Sequence, residues 1–135
     1  MTDKELLEMA ARAVAAAKNA GADQAEAYLE YSRTFTGRVR EGQTALVKQA
    51  TRRGLGLRVL TGGKTGFVNS SDLRPGSLDR LAALAVNLAK AGEKDDLAGL
   101  PPEAGRPSDA ALLKLYDPEL VGMTTEKKLQ LARAA

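Results

Sequence analysis

Gly63-Lys64-Thr65 sits inside the stretch GLGLRVLTGGKTGFVNSSDL, Gly54 to Leu73, and those three residues are the tail of a phosphate-binding loop. Such a loop needs a further glycine five positions before the Gly of Gly-Lys-Thr, where backbone N–H groups must approach phosphate. That position holds Arg58, whose side chain fills the space. A dinucleotide fingerprint begun at Gly54-Leu55-Gly56 needs glycine at position 59, which is Val59. No helix start follows either, because Val59 to Ser70 is rich in β-branched residues and glycine. The stretch reads instead with a period of two: Leu55, Leu57 and Val59 alternate with Gly54, Gly56 and Arg58, and Thr65, Phe67 and Asn69 with Gly66, Val68 and Ser70. Gly62-Gly63 between them supplies the positive φ of a tight turn, so the spacing predicts a β-hairpin.

Other chemistry is narrowed by what the chain lacks. It has no cysteine, so no disulfide framework and no thiolate chemistry. It has no histidine, so no Ser-His-Asp triad, no Cys-His pair and no ordinary zinc site. Ser70 and Ser71 have no adjacent base to make them nucleophiles. Glu93, Asp95 and Asp96 lack the spacing of a calcium loop and read as solvated carboxylates. No catalytic, cofactor or metal residue is assigned.

Charge is unevenly placed. From Arg33 to Lys64 there are eight basic residues against one acid, Glu41, hence +7 in a chain whose net charge is +3. Arg38, Arg40, Arg52 and Arg53 form a candidate basic face that would meet nucleic acid or an acidic partner. The alternative is that long basic side chains solvate a half-buried sheet and guard its edges. Nucleic-acid sites interleave aromatics with the basic residues, and this stretch offers only Phe35 and Phe67.

The elements that must position these residues can be read in order. The chain has 135 residues, enough to bury a core without staples. Thr2 to Asn19 is a helix opened by a Thr2/Glu5 capping box and stopped by Gly21. Ala25 to Ser32 alternates as a half-buried strand and continues through Phe35 and Val39, with Gly37 as a bulge or bend. Glu41-Gly42 is a turn, Thr44 to Arg52 the next strand, and the hairpin follows. Ser77 is the expected cap of a second helix whose stripe is Leu78, Leu81, Ala82, Ala85, Leu88 and Ala89, ended by Gly92. Asp117-Pro118 marks a turn, and Thr124 caps a third helix that runs out at LARAA with no stop signal. The expected fold is α+β: a mostly antiparallel, four- to five-stranded meander sheet, two long helices packed on it, and a third helix at a truncated C-terminus. The expected divisions are an N-terminal domain over 1–92, a loop or linker over 93–111, and a connecting segment over 112–135 leading to a larger, absent C-terminal domain. No apolar run approaches the roughly 20 residues that cross a bilayer, and the acidic N-terminus lacks a signal-peptide plan; a cytoplasmic, membrane-free protein is expected.

Several short motifs in this order form a resemblance. Gly21-Ala22-Asp23 with Ala25-Glu26 comes first, then Gly54-x-Gly56-x-Arg58-Val59, then Gly66-Phe67. Ser71-Asp72-Leu73 leads into a helix ending Ala85 to Lys90. Together they resemble the N-terminal domain of the TldD/PmbA family, the modulator-of-DNA-gyrase proteins and their peptidase relatives. The resemblance implies an accessory domain in front of a β-rich C-terminal domain. In TldD-type members that C-terminal domain carries a His-Glu-x-x-x-His zinc motif and cuts unfolded peptides. PmbA (TldE) types lack the zinc ligands and pair with a TldD-type subunit. Leu115-Tyr116-Asp117-Pro118 looks more like the PmbA type. No catalytic residue carries over, and zinc is expected only in a TldD-type C-terminal domain.

The role this implies is non-catalytic: assembly with a TldD- or PmbA-type partner subunit and handling of unfolded peptide. An exposed sheet edge can accept an extended peptide as an added strand, pair with the partner subunit, or be covered in the parent protein; Gly54, Gly56, Arg58, Gly66 and Phe67 are the candidate contacts, because a face without side chains lets another backbone approach. Tight packing under a helix is the alternative for Gly54 and Gly56. A carboxylate or carbonyl partner at the sheet's rim is the alternative for Arg58. A nucleic-acid-binding module using the basic face is the second functional reading.

Overall fold

The computed structural model describes residues 2–102 and 110–135. In chain order it holds α1 (Asp3–Asn19), β1 (Gln24–Arg40), β2 (Gln43–Thr61), β3 (Lys64–Ser70) and α2 (Pro75–Ala91), then a 3-10 turn (Ala110–Leu113), α3 (Pro118–Gly122) and α4 (Thr125–Ala134). The strands form one antiparallel sheet in the order β1-β2-β3. The α+β fold is as expected, but the sheet has three strands rather than four or five. Neither Gly37 nor Gly54 interrupts its strand, because both keep extended backbone; the left-handed glycines are elsewhere. β1 therefore runs unbroken for 17 residues and β2 for 19.

Both hairpin turns have the expected chemistry. Glu41 and Gly42 have φ of 51° and 73°, and Gly62 and Gly63 have 59° and 74°. Two successive left-handed residues match the twist of the flanking strands. The second turn sets the β2–β3 register, with Thr61 opposite Lys64, Val59 opposite Gly66 and Leu57 opposite Val68.

The chain divides into two compact units, one of Met1–Ser32 with Arg52–Pro102, the other of Arg33–Thr51 with Glu103–Ala135. In the first, α1 and α2 pack together and α2 packs on β3. α1 opens on the expected capping box: Thr2 N–H donates to Glu5 Oε2 at 2.7 Å, and Glu5 N–H to Thr2 Oγ1 at 3.3 Å. The core is Leu55, Leu57, Val59 and Val68 from the sheet, Leu78 and Val86 from α2, and a run of alanines, Ala13, Ala17, Ala82, Ala85 and Ala89. Alanines bring the helices close. At Gly66 the approach is closest: an added Cβ would overlap the Ala85 carbonyl oxygen and lie 2.7 Å from Ala89 N.

α2 starts earlier than expected. Pro75 occupies its first turn and Arg74 is the N-cap without a side-chain hydrogen bond. Proline is preorganised for the first helical position, so Ser77 lies inside the helix and its hydroxyl turns back to Asp72. The buried stripe also shifts: Val86 is buried and Leu88 is 45% exposed.

In the second unit, Thr124 caps α4 by accepting from Lys127 N at 3.2 Å, as expected. Gly37 makes room for a side chain rather than a bulge: Leu129 Cδ2 lies 3.1 Å from where a Cβ would stand. Lys128 Nζ sits 5.0 Å from the Phe35 ring centroid, and Arg133 donates to Thr44 Oγ1 at 3.1 Å. The Asp117-Pro118 turn is the start of α3, with Asp117 as its cap and proline again in the first turn. The expected linker over 93–111 falls partly on residues 103–109, outside the described residues; Lys94 bridges Lys64, and Asp95 N donates to Gly63 O at 2.9 Å. Among the described residues no helix is long and apolar enough to cross a membrane.

Replacing Gly66 with alanine forces a methyl group into helix backbone. We expect Gly66→Ala to cost about 2–3 kcal/mol as overpacking, read as a lower urea midpoint with an unchanged slope.

Candidate functional site

The period of two decides which side chains reach the open face of the first unit's sheet. Ala25, Ala27 and Leu29 of β1 pack on the core, as do Leu55, Leu57 and Val59 of β2 and Val68 of β3. Their neighbours Glu26, Tyr28 and Glu30, Gly54, Gly56 and Arg58, and Phe67 and Asn69 face away. A shallow cleft of about 520 Å³ is lined there by Tyr28, Glu30, Gly54, Gly56, Phe67 and Asn69, with Arg52 and Ser70 at one end. Its floor is the two glycines, and its aromatics are exposed, Tyr28 by 72% and Phe67 by 59%.

The floor is not under a helix. A Cβ on Gly54 would meet nothing nearer than Ser70 O at 3.7 Å. A Cβ on Gly56 would stand 3.3 Å from Phe67 Cε2 and Cζ, so the ring lies over this glycine. An aromatic on a neighbouring strand shields a glycine in this way in other sheets. Gly66 belongs to the other face. It pairs with the inward-facing Val59 and is covered by α2, so it is not placed to contact a peptide on the open face.

Arg58 has a carboxylate partner. Its Nε lies 2.6 Å from Glu26 Oε1, both side chains about half exposed. The N–H is not aimed at the oxygen, since Nε has no hydrogen-bond partner, so the contact is an ion pair. Exposed pairs of this kind contribute at most about 1 kcal/mol. Of the four arginines of the candidate basic face, Arg52 and Arg53 both line the cleft. Arg53 also lines a second depression with Met9, Asp72, Leu73 and Arg74. Arg38 and Arg40 belong to the second unit, where Arg40 Nε is 3.8 Å from Glu41 Oε1.

The phosphate-loop tail is a turn with a helix-capping lysine. Lys64 Nζ donates to Lys90 O at 3.1 Å, at the C-terminal end of α2 where a cation is favoured. Two acidic residues, unassigned in the sequence reading, hold the ends of β3. Asp23 Oδ2 accepts from Gly62 N at 2.6 Å, and Asp23 N donates to Leu60 O at 2.8 Å. Asp72 accepts from Arg74 Nε at 2.8 Å, Arg74 Nη2 at 2.6 Å and Ser77 Oγ at 2.7 Å. The Arg74 bonds, then that of Ser77, hold the Asp72 carboxyl far below the usual carboxylate range. The signal for both was their place, Asp23 directly before β1 and Asp72 in the short connection from β3 to α2. The chain offers no imidazole or thiolate, and no three carboxylates group together among the described residues.

An antiparallel sheet with two helices on one face and an open cleft on the other defines an α+β domain. Residues 25–89 match PmbA/TldA metallopeptidase domain 1. The whole cleft lies within the matched residues. The fold is similar to the crystal structure of a proposed modulator of DNA gyrase from Bacteroides thetaiotaomicron, with a TM-score of 0.82, 24% identity, and coverage of 98% of this chain and 30% of that one. TldE from Thermococcus kodakarensis aligns with a TM-score of 0.64 and 17% identity, covering 90% of this chain and 28% of its own. A proposed modulator of a DNA gyrase from Thermotoga maritima aligns at 0.61 and 20%, covering 95% and 28%. The chain thus spans less than a third of each of these proteins. No curated protein matches it.

The low Asp72 value sets a pH dependence. A lowered folded value means its contribution is complete above the ordinary 3.8 and is lost as pH falls through the folded value. Asp72→Asn should lower the melting temperature at about pH 7, and the gap to wild type should close steadily below about pH 4.

Proposed function

We infer that this chain is the non-catalytic first domain of a PmbA/TldD-type protein, which holds extended peptide on its open sheet face and takes part in subunit assembly. The observation that carries the reading is that the cleft over Gly54 and Gly56 lies wholly inside the family-matched residues 25–89. Gly54 in the central strand lets a second backbone come close, and Tyr28 and Phe67, whose ring lies over Gly56, give its side chains apolar surface. Such contacts use backbone and ring surface, so they select little sequence, as unfolded substrates require. Peptide hydrolysis and zinc belong in this reading to another part of the parent assembly. The segment Leu115-Tyr116-Asp117-Pro118, which looks like the PmbA type, supports reading the chain as PmbA-type and paired with a TldD-type subunit. A chain free of cysteine suits the cytoplasm.

The nucleic-acid reading has less support. The open face carries Glu26 and Glu30 beside Arg52 and Arg58, and Arg58 is already paired.

The test is a photo-crosslinking residue at position 28 or 67 of the full chain, mixed with an unfolded, reduced casein-type peptide. Both positions should label the peptide, with no hydrolysis. Gly54→Val should cut binding at least about tenfold. It should also leave stability unchanged or raise it by about 0.5–1 kcal/mol, since the position is open and strand-like. Absence of labelling, or unchanged binding in Gly54→Val, would overturn the reading. Salt-sensitive DNA binding lost in Arg52→Ala/Arg53→Ala would put the nucleic-acid function in its place.

A further inference from the structure

The cleft over Gly54 adjoins the second depression, which has a volume of about 490 Å³; Arg53 and Ser71 line both. The two hollows therefore share a rim, and all their lining residues belong to the first unit. A chain lying along the glycine floor toward Arg52 and Ser70 arrives at that rim.

The two hollows differ in chemistry. The first has a floor of glycine with Tyr28 and Phe67 beside it. The second sets two guanidiniums, Arg53 and Arg74, against one carboxylate, Asp72, with Met9 and Leu73 as its apolar part. Asp72 is fully engaged. Its Oδ1 accepts from Arg74 N at 3.2 Å and Arg74 Nε at 2.8 Å, and its Oδ2 from Arg74 Nη2 at 2.6 Å and Ser77 Oγ at 2.7 Å. These bonds neutralise one guanidinium and fix the fork of Arg74, whose Nη1 makes no bond to Asp72. Arg53 is exposed and enters no ion pair among the described residues. The first turn of α2, which begins at Pro75, contains no acid. One positive charge is therefore left over at the rim, on a planar fork whose donors match the two oxygens of a carboxylate.

We propose that Arg53, with Ser71 and Arg74 beside it, takes the C-terminal carboxylate of a peptide lying in the cleft. This rests on the reading of the cleft as a peptide site and adds a direction to it: the chain's end lies at the Arg53 rim and earlier residues lie over Gly54 and Gly56. Backbone and ring contacts select little sequence, so the ion pair makes a free chain end, rather than a sequence, the feature selected.

The test is fluorescence anisotropy on the full chain, with a short unstructured peptide that lacks acidic residues and carries its dye at the N-terminus. One version ends in a free carboxylate and the other in an amide. The acid should bind at least about tenfold tighter than the amide, as expected for charge-assisted hydrogen bonds. Arg53→Gln should bring that ratio to about one at the wild-type melting temperature, and Arg52→Gln should keep most of it. Equal binding of acid and amide would overturn the proposal and leave the cleft reading standing. So would a preference that survives Arg53→Gln, since the carboxylate would then lie elsewhere. An amidated peptide with one internal glutamate that binds as tightly as the acid would also overturn it, giving the rim to side-chain carboxylates. Binding of neither peptide would overturn the cleft reading, and this proposal with it.

Discussion

How closely α2 can approach β3 governs the covered side of the sheet. Gly66 lies where any side chain would meet the backbone of Ala85 and Ala89, so the helix rests on strand backbone. The same economy of size recurs in Ala13, Ala17, Ala82, Ala85 and Ala89, all fully buried. Small residues contribute little apolar area each, and much of the hydrophobic gain falls on Leu55, Leu57, Val59, Leu78 and Val86, at about 1.5–3 kcal/mol apiece. Close packing adds dispersion contacts that a looser layer would forfeit. With two helices serving the inner face, the core makes no demand on the outer one, and glycines there are free to form a floor.

β3 is short and is braced at both ends by carboxylates. Asp23 bonds the turn that precedes it, and Asp72 the connection that follows. Lys64, at the strand's first position, reaches the end of α2. These polar ties are exposed or half-buried, so each contributes modestly, but together they set where the strand begins and ends. Phe67 and Asn69 are thereby held opposite Arg58 and Gly56.

Local chemistry was the most legible part of the sequence. Gly62-Gly63 announced its hairpin, Thr2 and Glu5 their capping box, and Thr124 its helix, because each depends on a few neighbouring residues. Strand length was not legible: Gly37 and Gly54 look like punctuation, yet both are extended, and only the Leu129 side chain accounts for the first. The start of α2 was misplaced because Ser77 is a good cap in isolation, whereas Pro75 is a better first-turn residue. Within the site, Gly54, Gly56 and Phe67 were readable from alternation, and Tyr28 was not, since its place beside them depends on how β1 pairs with β2. Gly66 was readable in principle. The Gly62-Gly63 turn forces Thr61 opposite Lys64, which puts Gly66 opposite Val59 and therefore on the core side.

The strands are continuous, but their support is not. Among the described residues of the second unit the only buried apolar side chain is Leu129, while the first unit holds all the rest of the core. A two-stranded ribbon has little stability of its own in water. The amides of Arg33–Thr51 therefore belong to a separate opening unit, exchanging with solvent through excursions that leave the helix-covered sheet intact. A strand such as β2 is then one element by geometry and two by free energy, with the step falling near Arg52, where the cleft begins.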